Sequence, residues 1–200
     1  MKANRWQAEL EKTIRVMDKS VQRMLRLIDQ LLEFRKMQAG KLKLSLQETD
    51  VVMFVKGICH MFDDAAESKE IAYSFESSEP THVMFLDQQM IDKVVFNLLS
   101  NAFKYTPAKG AIRVSLSFSD VVTIRVADTG VGVPREKRSQ LFSRFMQSSY
   151  TGESFGIGLH LSHELVKTHH GEITYQENEG GGSVFVVTIP LRKDGYDAAD

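Results

Sequence analysis

Along the first 40 residues, apolar side chains recur at Leu10, Ile14, Met17, Val21, Met24, Ile28 and Leu31. The steps alternate between four and three residues, which is a heptad seam. Leu25 and Leu32 widen that stripe toward the width a helical bundle needs. The stretch has no proline, and its only glycine, Gly40, stands at its end. The spacing predicts one long helix over about residues 5–38, roughly 50 Å in length. Such a helix cannot bury its seam on itself, so it packs on another helix, most simply a second copy. The other faces carry Arg15, Lys19, Arg23, Arg26 and Asp29, which read as a solvated surface.

After Gly40 the period changes. "KLKLSL" alternates strictly, which predicts a short half-exposed strand. Asp50 is placed to cap a helix through about Glu67, with Val51, Phe54, Val55, Ile58 and Phe62 on one face. "IAYSF" and "HVMFL" read as strands around a polar loop containing Pro80. Asp87 then caps a helix carrying Met90, Ile91, Val94, Val95, Leu98, Leu99 and Ala102. "AIRVSLSF" and "VVTIRVA" form a hairpin turning at Ser119 and Asp120. Residues 134–155 read as a short helix and a loop, and "GIGLHLSHELVKTHH" as a helix stopped by Gly171. "EITYQE" and "SVFVVTIP" form a second hairpin around "NEGGG", and residues 194–200 a frayed tail. Strands interleaved with three helices on one apolar face predict an α+β fold, an α/β sandwich preceded by the long helix.

Composition narrows the functional classes. The formal charge is -1, so bulk electrostatic binding to nucleic acid is not expected. A single cysteine, Cys59, can form neither an internal disulfide nor a thiolate metal cluster. No run of 18 apolar residues is present, so no membrane span or direct membrane contact is expected of this chain.

Three polar features are not explained by packing. In "NLLSNAFKYT", Asn97, Asn101 and Lys104 share one face of an otherwise apolar helix. An amide oxygen is a hard ligand suited to Mg²⁺, and a lysine one turn on can meet phosphate. In "ADTGVGVP", Asp128 ends a strand and can accept from an exocyclic amine, while Gly130 and Gly132 let backbone approach a flat ring. In "FGIGLHL", Gly156 and Gly158 open a helix whose N-terminal amides can bind phosphate. Each has an ordinary alternative: a solvent-facing helix side, a surface turn, a flexible loop. The third matches neither a dinucleotide-binding fingerprint nor a Walker A loop.

Their order along the chain resembles the ATP-binding domain of sensor histidine kinases, a fold shared with the gyrase, Hsp90 and MutL ATPases. "NLLSNAFKYT" resembles the family's N box, "DTGVGVP" its G1 box, "LFSRF" its F box and "GIGL" its G2 box. The resemblance implies a mixed sheet covered by three helices over residues 41–193, with residues 1–40 as the second helix of a dimerisation and phosphotransfer hairpin. "LLEFRKMQAGKLKL" and "HHGEI" look most like hybrid sensors of Bacteroides-type bacteria. By position, Asn101 would hold Mg²⁺ on the ATP phosphates, with Asn97 nearby, and Lys104 would meet phosphate. Tyr105 would pack near adenine and ribose. Asp128 would bind the adenine amine, helped through water by Thr188, with Gly130 and Gly132 lining that side. Gly156, Gly158 and Leu159 would form the phosphate end, under a lid anchored by Phe142 and Phe145. The implied partners are ATP or ADP, a second copy through the N-terminal helix, and a receiver domain or response regulator. The implied location is the cytoplasmic side of an inner-membrane sensor.

The phosphoacceptor of that family, a histidine followed by an acidic residue and then proline, is missing here: His60 precedes Met-Phe, and His163 precedes Glu-Leu. The expectation is a fragment beginning after the acceptor helix. Two other readings compete: a serine kinase of the anti-sigma type, which lacks a long dimerisation helix, and a degenerate scaffold that only dimerises. A gyrase-like ATPase is disfavoured by the short chain and the F box. The family's G2 box begins with a glycine where Ser154 stands, followed here by Phe155. A Cβ at that position restricts the backbone, so nucleotide affinity should be weakened. Calorimetric titration of Ser154→Gly should show tighter binding; ordinary micromolar affinity, unchanged by the substitution, would refute the idea.

Overall fold

The computed structural model describes residues 42–143 and 158–191, with helical positions scattered between Thr13 and Lys36 and a turn at Ala39–Gly40. It divides into two compact units, Met1–Leu42 and Lys43–Asp200. In the first, the described seam positions from Ile14 to Leu31 are helical. Gly40 takes φ 62°, a left-handed conformation suited to glycine after a helix. Leu10 and the 194–200 tail lie outside the described residues.

The second unit runs β1 (Gln47–Asp50), α1 (Val51–His60), α2 (Asp63–Ser68), β2 (Ala72–Ser77), β3 (Val83–Leu86), α3 (Gln88–Tyr105), β4 (Ala111–Phe118), β5 (Val121–Asp128), α4 (Arg135–Arg138), α5 (Gly158–Thr168), β6 (Glu172–Glu177) and β7 (Ser183–Pro190). Five strands form a sheet in the order β2-β4-β5-β7-β6, parallel only between β2 and β4. β1 and β3 make a separate antiparallel pair. This is the α+β fold expected, with a mixed sheet and helices on its apolar face. Along β5, Val122, Ile124 and Val126 point into the core, matched across the ladder by Ile189, Val187 and Phe185. Asp128 continues the same inward parity at the end of the strand.

Both acidic caps form. Asp50 accepts from the N–H groups of Val52 and Met53, and Asp87 from that of Met90. Three local expectations are corrected. The 42–46 stretch alternates in exposure but has no ladder; pairing starts at Gln47, opposite Leu86. The helix after Asp50 does not run unbroken to Glu67: it ends at His60, and Met61–Phe62 turn the chain into α2. At the end of α5, His170 rather than Gly171 adopts the left-handed conformation, with φ 55°. Gly171 is needed for another reason: a Cβ there would collide with the Thr188 carbonyl oxygen.

His169 is fully buried beneath this turn, and its Nδ1–H donates to the Leu165 carbonyl at 2.9 Å. Burial pushes its pKa below the usual 6.5. The neutral ring therefore contributes stability that is complete above pH 6.5 and is lost as pH falls through the folded value. Urea unfolding at pH 7.5 and 5.5 should show that loss. His169→Phe should flatten the pH dependence while costing about 1 kcal/mol at pH 7.5 for the missing hydrogen bond.

Candidate functional site

The apolar stripe of α3 covers the sheet, and its other side carries Asn97, Asn101, Lys104 and Tyr105, all half-buried. Among the described residues the Asn101 amide makes no hydrogen bond, whereas Asn97 Nδ2 donates to Ser162 Oγ at 2.9 Å. Ser162 is buried on α5, and Gly158 at the start of that helix packs against the same asparagine. A Cβ at Gly158 would lie 2.5 Å from Asn97 Oδ1, so a side chain there would displace the Asn97 amide from its place against Ser162. Leu159, half-buried, follows in the first turn of α5. Lys104 Nζ lies 5.2 Å from the centroid of the Tyr105 ring.

At the C-terminal end of α3 stands the corner made by the end of β5. Asp128 is 4% exposed. Its Oδ1 accepts from the Gly130 N–H at 2.7 Å and the Ser183 N–H at 3.3 Å. Its own carbonyl accepts from Asn178 Nδ2 at 2.8 Å. Burial raises the carboxyl pKa, and the hydrogen bonds from Gly130 and Ser183 oppose that shift. Gly182 has φ 107° and passes so close to the Asp128 carbonyl that no side chain fits. A Cβ at Gly130 would lie 2.5 Å from the Tyr105 carbonyl oxygen, so the turn after β5 rests directly on the end of α3. Gly132, with φ 66°, faces the Gly182 carbonyl.

The fold thus brings Asn97, Asn101, Lys104, Tyr105, Asp128, Gly130, Gly132, Gly158 and Leu159 onto α3 and the two elements that meet it, α5 at Asn97 and the turn after β5 at Tyr105. The eight steps from Asn97 to Tyr105 span about 12 Å along the helix. Thr188 does not join them. It lies five residues along β7 from Ser183, about 17 Å away, opposite Thr123 and Glu172. Its parity directs it to the outer face of the sheet, and its hydroxyl reaches the Glu172 carbonyl at 3.5 Å. Ser183 holds the place expected of Thr188, because antiparallel pairing sets the start of β7 beside the end of β5. Ser162 was also missed, although a lone hydroxyl among Leu161, Leu165 and Val166 was a visible signal.

Phe142 holds on to α5: its carbonyl accepts from His160 Nδ1 at 2.9 Å, and its ring stacks on His163 with centroids 5.7 Å apart. Phe145, Ser154, Phe155 and Gly156 lie outside the described residues.

Comparison with known proteins identifies the family. Residues 86–193, more than half of the 200, match the family "Histidine kinase-, DNA gyrase B-, and HSP90-like ATPase", and the chain belongs to that family. It is 34% identical to the sensor histidine kinase TmoS of Ectopseudomonas mendocina, over 90% of this chain and 19% of that protein. It is 35% identical to the sensor protein EvgS of Escherichia coli K12, over 85% of this chain and 15% of that protein. The chain therefore spans less than a fifth of either relative. The crystal structure of full-length ShkA in complex with AMPPNP superposes with a TM-score of 0.76 at 25% identity, covering 86% of this chain and 36% of that one. The chain thus carries a histidine-kinase-type ATP-binding domain, matched over residues 86–193. Among the described residues no helix is long and apolar enough to cross a membrane.

The raised pKa of Asp128 gives a direct consequence. An acid whose folded pKa is raised contributes least to stability once pH has risen through that value, so at neutral pH the ionised carboxylate costs stability. Asp128→Asn keeps the acceptor for Gly130 and Ser183 and removes the charge. Thermal unfolding at pH 7.5 should show a gain on the order of 1 kcal/mol for the ligand-free chain.

Proposed function

We propose that this chain binds ATP with Mg²⁺ and presents the γ-phosphoryl group to a histidine outside the 200 residues, from which it passes to an aspartate on a receiver domain. The observation that carries the reading is the corner at Asp128. A buried carboxylate has one oxygen fixed by two backbone amides, which leaves the other to accept from the exocyclic amine of adenine. That corner rests on the end of the helix that bears the phosphate-side residues.

On this reading Tyr105 packs on adenine and ribose, while Gly130 and Gly132 let the ring approach the backbone. Asn101 supplies its amide oxygen to the cation, a fit supported by the absence of any competing hydrogen bond among the described residues. Lys104 adds a positive charge near the phosphates. Asn97 is held by Ser162 at the joint with α5, whose N-terminal amides at Gly158 and Leu159 face the phosphate end. Mg²⁺, when bound, offsets phosphate charge and orients the chain of phosphates. The protein's share of catalysis is positioning and electrostatic stabilisation. AMPPNP in the ShkA structure supports the choice of nucleotide.

The seam of the N-terminal helix supports pairing with a second copy. Its described apolar residues, from Ile14 to Leu32, are 48–63% exposed in the single chain. The resemblance of its sequence boxes to those of sensor histidine kinases is the basis for placing it on the cytoplasmic side of an inner-membrane sensor.

Calorimetry with ATP in the presence and absence of Mg²⁺ tests the proposal. Asn101→Ala should abolish the magnesium-dependent gain in affinity while sparing adenosine. Asp128→Asn should lose at least about tenfold in affinity for ATP and adenosine alike, because its amide nitrogen opposes the adenine amine, donor to donor. Binding unaffected by both changes would overturn the assignment. Incubated alone with γ-labelled ATP, the chain should acquire no label, since it carries no acceptor motif.

A further inference from the structure

We infer that Arg138 and Tyr175 are positioning residues for the adenine side of the site: they fix the backbone of Val133 and thereby the Gly130–Gly132 turn beside Asp128. The inference rests on the nucleotide-binding reading above. Val133 follows Gly132 directly, and both of its backbone polar groups are taken by side chains. Its N–H donates to the Tyr175 hydroxyl oxygen at 3.2 Å, and its carbonyl accepts from Arg138 Nε at 2.9 Å. The two side chains also hold each other, with the guanidinium 5.6 Å from the Tyr175 ring centroid. Arg138 Nη2 reaches Glu177 Oε2 at 3.0 Å. The tyrosine is rooted in the sheet, its ring meeting Phe185 edge-on at 5.6 Å.

The turn needs such a support. Val131 is 74% exposed and anchors nothing, and the flanking glycines leave the backbone its widest conformational range. On the inner side Gly130 is held by Asp128 and by the end of α3, and Gly132 by its close approach to Gly182. The clamp supplies the outer side, and Pro134 carries the chain straight from it into α4. Arginine suits this place because its planar fork serves a carbonyl, a carboxylate and a ring face at once, which an ammonium cannot do. The ion pair itself contributes little to folding, because Glu177 is 57% exposed. The arrangement therefore acts on where the turn sits more than on whether the domain folds.

The test titrates the unaltered chain, Arg138→Leu, Arg138→Lys and Tyr175→Phe with adenosine, ATP and inorganic triphosphate, and records each thermal midpoint. Arg138→Leu should weaken adenosine and ATP by the same factor, about 3- to 10-fold, with triphosphate binding and the midpoint unchanged. Arg138→Lys should not restore affinity. Tyr175→Phe should act in the same direction, and the double variant should lose less than the sum of the two. Adenosine affinity unchanged in both Arg138→Leu and Tyr175→Phe would overturn the inference, as would an equal loss for triphosphate. If the unaltered chain binds no adenosine, or Asp128→Ala binds it as well, the nucleotide reading itself fails, and this inference with it.

Discussion

A carboxylate taken out of water must be met by donors, or its burial becomes prohibitive. Asp128 sits under this constraint, and much of the second unit is arranged around it. Its donors are backbone amides of Gly130 and Ser183, so the turn after β5 and the start of β7 must arrive together. Gly182 and Asn178 bring the β6–β7 hairpin onto the same residue from the other side. The sheet register, the hairpin and the glycine turn are thus mutually dependent. What they deliver is a charged group held at a strand end with one oxygen already engaged.

The second constraint is steric. α3 has to cover the sheet with Ile91, Val94, Leu98 and Ala102 while keeping a row of amides and an amine on its other side. Two bare backbones make this possible, Gly158 against Asn97 and Gly130 against the Tyr105 carbonyl. A methyl group at Gly130 would strike backbone, and one at Gly158 would displace the Asn97 amide. The helix is therefore gripped at both ends of its polar row by segments whose own amides remain near that row. Packing and binding use the same helix without competing for the same face.

Most of this was legible because its signals are local. Asp50 and Asp87 cap as their positions suggested, the hairpins fall where "SD" and "NEGGG" interrupt apolar runs, and α3 follows its period of apolar residues. Most of the failures are non-local. "KLKLSL" has the alternation of a strand, but a ladder needs a partner, and β3 pairs further along. Thr188 and Ser183 are both hydroxyl residues on β7; only the pairing of β7 with β5 tells which end meets Asp128. His170 accepts a left-handed conformation that a glycine next door would have taken more readily, because Gly171 is committed to clearing the Thr188 carbonyl. Arg138 read as one basic residue in a charged run, and its use depends on Tyr175 and Glu177, nearly 40 residues away.

Electrostatics explain why such a site would rely on a metal. On the proposed reading Lys104 offers a single positive charge on the polar row of α3, while Asp128 brings a negative one to its far end. A triphosphate carries several negative charges, so the side chains alone cannot neutralise it. The α5 N-terminus adds only a fraction of a charge. A divalent cation held by the Asn101 amide, which contributes no charge of its own, would make up the difference without placing a carboxylate beside the phosphates. An asparagine there, where an aspartate would bind the metal more strongly, is consistent with a cation that arrives with its nucleotide and leaves with the product.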